Sequence, residues 1–319
     1  VKLAFIIDQL DSIKTSKDSS FAMICEAIAR NHQIHVLYQH DIVLINHIVT
    51  GFSRSLVLTD TPHQDGHWYN TGDILATPLN EFNAILMRKD PPFDLEYIYS
   101  TYLLELAETQ GALVINNPRA IRDHNEKLAI AKFPQFVAPT LVTSQAHFIR
   151  EFLSNHQDII LKPLDGMGGA SVFRVHSADH NINVILETLT HYGTRTIMAQ
   201  RYIPEISQGD KRIILIAGKA VPYALARIPK PGETRGNLAV GGTGKTQPLS
   251  ARDREIAESV GPELVKHGLM LVGLDVIGDY LTEINVTSPT GMQEITKQTG
   301  FNVAGMMLDA IEVGIRNHS

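Results

Sequence analysis

The first apolar run, Leu3 to Ile7 between Lys2 and Asp8, predicts a buried strand. Ser19 to Arg30 then repeats apolar residues at helical spacing behind Asp18, Ser19 and Ser20, whose short side chains suit a helix N-terminus. Further strands are predicted at His35 to Tyr38, Ala84 to Met87 and Leu113 to Asn116, with a helix from Glu96 to Gln110 between the last two. A strand-helix alternation of this kind implies a small α/β domain with a mostly parallel sheet over the first ~120 residues. Between Ser53 and Asn80 the chain turns polar, with Thr61-Pro62, Asp65-Gly66 and Thr71-Gly72, and is expected to be surface loop.

After Asn117-Pro118 the pattern changes to short strands: Ile159 to Lys162, Ser171 to Val175, Thr196 to Gln200, Arg212 to Ala217 and Tyr223 to Ile228. Glycine-rich turns separate several of them, so antiparallel pairing is the simpler expectation. A helix from Ala251 to His267, a hairpin from Leu271 to Asn285 and a helix from Val303 to Arg316 complete the pattern. The fold class is therefore α/β, with α+β character in the C-terminal part.

Composition narrows the function. A chain of 319 residues with 44% hydrophobic content can bury a large core in two or three domains. The 28 Lys and Arg against 34 Asp and Glu, net charge -6, argue against a general nucleic-acid binder. No run approaches the ~18 apolar residues of a membrane helix, and the strand-like start lacks the basic flank of a secretion signal, so neither feature is expected. The single cysteine, Cys25, cannot form an internal disulfide, which fits a reducing, cytoplasmic compartment, and its apolar neighbours predict core packing.

Two stretches could carry chemistry. Leu161-Lys-Pro-Leu-Asp-Gly-Met-Gly-Gly-Ala-Ser171 is a glycine-dense turn with Lys162 on the incoming strand. Glycines let backbone amides approach phosphate oxygens and the lysine adds the charge that amides lack, so the stretch reads as a phosphate clamp; the alternative is a plain hairpin. It matches neither the dinucleotide fingerprint nor the Walker pattern. Ala239 to Thr246 imitates a Walker loop without its first glycine or a preceding strand, and is better read as part of a long lid carrying Arg235 and Lys245. The second stretch, Gly273 to Pro289, is a hairpin turning at Gly278-Asp279. Glu283 and Asn285, two apart, share a face, and Asp275 lies opposite Glu283 if the turn has three residues, or one place out of register if it has two. Two carboxylates and an amide without His or Cys suit magnesium; the alternative is a solvated polar face. Lys127, Lys162, Arg212, Arg227, Arg235 and Arg88 recur beside these stretches and suit phosphoryl and carboxylate oxygens.

MRKDPPFD at 87–94, NEKL at 125–128, IILKPLDGMGGASVFRV at 159–175, GDKRIILI at 209–216, ARIPKPGETRGNLAVGG at 226–242 and GLDVIGDYLTEINVTSPTG at 273–291 together resemble the bacterial glutathione synthetases, a family of ATP-grasp ligases. The resemblance runs from about Lys2 to Ile315. It implies an N-terminal substrate-side domain over 1–122, a central lid domain over 123–202 and a catalytic domain over 203–319. It also implies ATP-dependent joining of gamma-glutamylcysteine to glycine through an acyl phosphate, with magnesium or manganese. On that resemblance Lys127, Lys162, Gly166, Gly168, Gly169, Ser171, Gln200, Tyr202, Ile203 and Asp210 match ATP positions. Asp275, Glu283 and Asn285 match metal positions, while Arg88, Ser288 and Thr290 match peptide-substrate positions. Arg212 and Arg227 match transition-state positions, and Arg235 belongs to a loop that closes over the intermediate. A homotetramer is implied as well. The chain departs from the family at Thr243 and Gln293, where a basic residue and an arginine-containing form are more usual. The rival readings are another ATP-grasp carboxylate-amine ligase and a non-catalytic ATP-binding module.

Overall fold

The computed structural model describes residues 1–60, 67–230, 232, 236 and 242–318. Among them three sheets follow one another along the chain. The first contains β1 (Lys2–Ile6), β2 (Gln33–Leu37), β3 (Ile42–Ile45), β4 (Ile48–Leu58), β5 (Tyr69–Pro78), β6 (Ala84–Met87) and β7 (Val114–Ile115). Its order is β3-β4-β2-β1-β6-β7, with β5 paired to β4. The expected parallel core is present in β2-β1-β6-β7, and β3, β4 and β5 extend it by antiparallel pairing.

The segment read as surface loop is therefore corrected: most of Ser53 to Asn80 is the ribbon of β4 and β5. β5 is exposed along most of its length, so cross-strand hydrogen bonds hold it, and its sequence lacks the apolar alternation that marks a half-buried strand. At the base of the ribbon Trp68 is buried and meets the Phe21 ring edge-on at 5.0 Å. Thr61-Pro62 and Asp65-Gly66 lie outside the described residues.

Helix α1 (Ser19–Ala29) starts as the sequence predicts, with the Asp18 carboxylate accepting from the Phe21 amide at 2.7 Å. Helices α2 (Leu95–Thr109) and α3 (Pro118–Asp123) complete this part. Cys25 is partly buried against the core that α1 forms with β1. Burial pushes its thiol up to about 11. Because the thiolate is the nucleophile, alkylation by iodoacetamide should be slow near pH 8 and rise about tenfold per pH unit up to pH 10. A stopped-time thiol assay showing fast, pH-independent labelling would contradict this burial.

The second sheet is antiparallel throughout: β8 (Thr140–Thr143), β9 (Asp158–Pro163), β10 (Phe173–His176) and β11 (Ile197–Arg201), in the order β10-β9-β11-β8. Two helices, α4 (Ala146–His156) and α5 (Ile182–Thr190), cover one face. The strand-only expectation for this region missed both, because α4 buries only Ile149 and Leu153. The third sheet is β12 (Asp210–Ile216), β13 (Lys219–Ile228), β14 (Thr243–Pro248), β15 (Leu271–Ile277) and β16 (Tyr280–Asn285), ordered β14-β13-β12-β15-β16 and again antiparallel. Helix α6 (Ala251–Lys266) packs on one face, while α7 (Met292–Thr299) and α8 (Val303–His318) return to α1 and share the first sheet's core.

Lys245 is on β14 opposite Ala226, exposed, so it belongs to a paired strand and not to the expected lid. Gln293 is buried and donates to the Thr15 and Asp18 carbonyls at 2.7 Å each, tying α7 to the segment before α1. No described helix is long and apolar enough to cross a membrane.

Candidate active site

Strand periodicity builds one wall of the site. Pairing of β12 with β15 sets Arg212 opposite Asp275, pairing with β13 sets Asp210 opposite Arg227, and pairing of β15 with β16 sets Asp275 opposite Glu283 and Gly273 opposite Asn285. Residues two apart share a face, so these polar groups gather on one side. Ile213, Leu215, Leu274, Val276 and Ile284 fill the core on the other. The hairpin resolves the question of register in an unexpected way. Ile277 pairs with Tyr280, so the turn has two residues, with Gly278 at φ +56°, where a side chain is disfavoured. A bulge then inserts Thr282, which restores Asp275 to its place across from Glu283. The Thr282 hydroxyl donates to the Asp275 carbonyl at 3.1 Å and pins the bulge.

Charge on this wall is dense and paired. The Arg212 fork holds Asp275 through Nε at 2.5 Å and Nη2 at 3.0 Å, and Arg227 Nη2 reaches Asp275 Oδ2 at 2.8 Å while also pairing with Asp210. Burial opposes ionisation of Asp275, but the two guanidinium groups outweigh it and hold the carboxyl well below its usual range. Asp210 is pushed up to about 7 by burial; Arg227 opposes the shift, and Asp275 and Glu283 reinforce it. Two fixed guanidinium groups thus stand in a water-poor place where their charge acts strongly.

The facing wall comes from the second sheet. On β9, Ile159 and Leu161 enter that sheet's core, and Ile160 and Lys162 face the third sheet. Lys162 Nζ lies 3.9 Å from Glu283 Oε1, and burial lowers its pKa against the pull of Glu283. Lys127 Nζ donates to Glu126 Oε1 at 2.6 Å and to the Gly166 carbonyl at 2.5 Å, and is 3.6 Å from Glu283 Oε1. Burial works against its charge, but Glu283 and Glu126 prevail and raise its pKa. Asn125 donates to the Leu164 carbonyl at 3.0 Å and accepts from the Lys127 and Leu128 amides, which ties the NEKL segment to the chain just before the glycine turn. Within the turn Gly168 and Gly169 take φ +63° and +79°, the left-handed region that favours glycine.

Between the walls is a cavity of about 360 Å³. Lining it are Lys127, Lys162, Gly166, Gly168, Gly169, Gln200, Tyr202, Ile203, Asp210, Arg212, Arg227, Asp275, Glu283, Asn285, Ser288 and Thr290, so most of the residues singled out in the sequence converge. Two do not line it. Ser171 stands beside the turn at φ +58°. Arg88 is buried behind the wall, donating to Ser20 Oγ at 3.1 Å and to the Pro289 carbonyl at 3.0 Å, and in this position braces the Ser288-Thr290 segment. Arg235 lies outside the described residues. The sequence reading passed over Asp90, Glu126, Arg201 and Ile206, which also line the cavity. Asp90 and Glu126 stood inside quoted motifs, next to the basic residues that drew attention; Arg201 and Ile206 carried no local signal.

The prokaryotic glutathione synthetase N-terminal domain matches residues 1–122, and the ATP-grasp domain of the same enzymes matches residues 126–300. The chain belongs to the prokaryotic glutathione synthetase family. Among relatives of this glutathione synthetase family chain, the glutathione synthetase of Nitrosomonas europaea is 68% identical over 99% of this chain and 98% of that protein. That of Ralstonia nicotianae is 58% identical over 98% and 95%. The fold extends further: D-cycloserine synthetase DcsG superposes with TM-score 0.69 over 99% of this chain and 100% of its own, at 14% identity. The ATP-grasp ligase PsnB, solved with a minimal precursor, Mg and ADP, does so with TM-score 0.64 over 99% and 98%, also at 14%.

ATP-grasp ligases of this family use a divalent ion, and the donor set here fits one. Glu283 and Asp275 would supply carboxylate oxygens. Asn285 donates through Nδ2 to Asp275 Oδ2 and to the Gly273 carbonyl, both at 3.2 Å, which leaves its oxygen as the open donor atom. The described residues lining the cavity include neither His nor Cys, and two carboxylates and an amide suit an oxygen-seeking ion that keeps water and phosphate ligands.

Proposed function

We propose that this ligase joins gamma-glutamylcysteine to glycine at the expense of ATP, forming glutathione, ADP and phosphate. A cysteinyl carboxylate oxygen attacks the terminal phosphorus and ADP leaves; the glycine amine then attacks the acyl carbon, phosphate departs and the amine sheds a proton. The observation that carries the reading is the meeting of Arg212, Arg227, Asp275, Glu283 and Asn285 on one sheet face with Lys127, Lys162 and the glycine turn on the other. The lysines and turn amides hold phosphate oxygens, and Ile160, Tyr202 and Ile203 offer the nucleobase an apolar slot beside Gln200. Arg212 and Arg227 face the oxyanion of the tetrahedral state without needing to move. Asp275, Glu283 and Asn285 would hold magnesium or manganese, which supplies charge neutralisation at the phosphate oxygens when bound. Ser288 and Thr290 line the peptide end.

Phosphate release measured with ATP, magnesium and both substrates tests this. Release that requires gamma-glutamylcysteine and glycine together supports the synthetase; release with another acceptor favours a different carboxylate-amine ligase, and none with any acceptor favours a binding module. Glu283→Gln should raise the magnesium concentration for half-maximal rate on the order of tenfold. An unchanged magnesium titration would remove Glu283 from the ion's shell.

The reaction spends ATP and handles a free thiol, which supports a cytoplasmic location. A homo-oligomer is supported by a stripe on α2, where Leu95, Tyr99 and Tyr102 are 63%, 53% and 54% exposed at helical spacing. Light scattering giving the mass of a monomer at micromolar concentration would exclude it.

A further inference from the structure

Five carboxylates line the cavity: Asp90, Glu126, Asp210, Asp275 and Glu283. Four of them have cationic partners within 4 Å: Glu126 has Lys127, Asp210 has Arg227, Asp275 has both arginines, and Glu283 has the two lysines. Asp90 alone among these five has no such partner among the described residues. Its neighbours on either side are committed elsewhere. Lys89 pairs with Asp8 at 2.8 Å, and the Arg88 fork is spent on Ser20 and on carbonyls of 287 and 289. The Asp90 amide donates to Asp8 Oδ2 at 2.9 Å, which fixes the backbone so that the side chain is presented to the cavity. Partial desolvation against the cavity wall raises its pKa; the Ser288 hydroxyl and the charge of Arg88 oppose this, and Asp8 and Asp18 add to it. The residue remains exposed to solvent, so an incoming cation can reach the carboxylate.

The position decides which cation. Asp90 enters from the end of β6, beside Ser288 and Thr290, whereas the phosphate-binding turn enters from the second sheet. Arg212 Nη1, at the reacting centre, reaches the Thr290 carbonyl at 3.4 Å, and the Asp90 side chain hydrogen-bonds with Ser288, two residues earlier on the same segment, which sets Asp90 with the peptide side of that centre. Glycine must present a neutral amine to the acyl carbon, and a carboxylate partner would keep it protonated. The donor peptide carries its ammonium at the far end from the reacting carboxylate. We infer that Asp90 is the residue that selects the donor, its carboxylate receiving the α-ammonium of the gamma-glutamyl group with Ser288 alongside. This rests on the reading of the chain as a gamma-glutamylcysteine ligase.

The test compares gamma-glutamylcysteine with glutarylcysteine, the same molecule without the α-amino group. Wild-type kcat/KM should fall about 10²–10³-fold on losing the ammonium, as expected when a site built for a polar group meets an analogue lacking it. In Asp90→Asn the preference should shrink to within tenfold, chiefly through KM for the peptide, with KM for ATP and glycine unchanged. Asp90→Glu, which keeps the charge, should recover part of the preference and guards against a loss caused by misfolding. A variant that slows both peptides equally, or that retains the full wild-type preference, overturns the inference. Wild type that turns over neither peptide overturns the functional reading itself and Asp90's role with it, a distinct outcome.

Discussion

Arg212→Ala is expected to lower the rate of glutathione formation about 10²–10³-fold, the usual loss when one fixed donor to a developing oxyanion is removed. The guanidinium is buried, held by Asp275 in two contacts of 2.5 and 3.0 Å and by the Thr290 carbonyl at 3.4 Å, so it is placed before substrate arrives and needs no reorganisation in the transition state. Its removal also leaves Asp275, among the described residues, with Arg227 as sole cationic partner in a buried place, which costs stability. Urea denaturation must therefore accompany the kinetics. Arg212→Lys separates the effects: it keeps a charge near Asp275 but loses the planar fork, so it should refold close to wild-type stability and still lose at least tenfold in rate. An Ala variant that stays folded with a rate within tenfold of wild type would take Arg212 out of the chemistry.

Asn116→Ala should cost about 3 kcal/mol of unfolding free energy, read as a fall in the urea midpoint at unchanged slope. The side chain is buried and fully used. Nδ2 donates to the Leu271 and Val286 carbonyls at 2.7 and 2.8 Å, and Oδ1 accepts from the Met270 and Leu271 amides at 2.8 Å each. One amide thus joins the end of β7 to the third sheet at both strands of the hairpin that carries Asp275 and Glu283. Alanine leaves buried backbone groups of that sheet unpaired. Asn116→Asp, similar in size but without the N–H groups, should be nearly as damaging; a loss below about 1 kcal/mol for both would show that water replaces the amide.

Much of the architecture was legible from local pattern because its elements are locally determined. Strands β1, β6 and β15 are apolar runs, α1 has its cap at Asp18, and two-residue spacing alone put Glu283 and Asn285 on one face. The ribbon of β4 and β5 was not legible, since hydrogen bonding to a neighbouring strand holds it and leaves little apolar trace. Lys245 looked like loop for a similar reason: β14 is a polar edge strand whose state depends on β13.

For the site, side-chain chemistry and spacing along single strands were enough to nominate Lys162, the glycine turn, Arg212, Asp275 and Glu283, because charge and backbone freedom belong to each residue wherever it folds. Tertiary structure alone decided which charge answers which. It placed the bulge at Thr282 that returns Asp275 to Glu283, turned Arg88 inward as a brace, and left Asp90 facing the cavity without a counter-ion among the described residues. Those outcomes depend on distances between strands far apart in the chain, and electrostatic pairing falls off over a few ångströms that no single segment can specify.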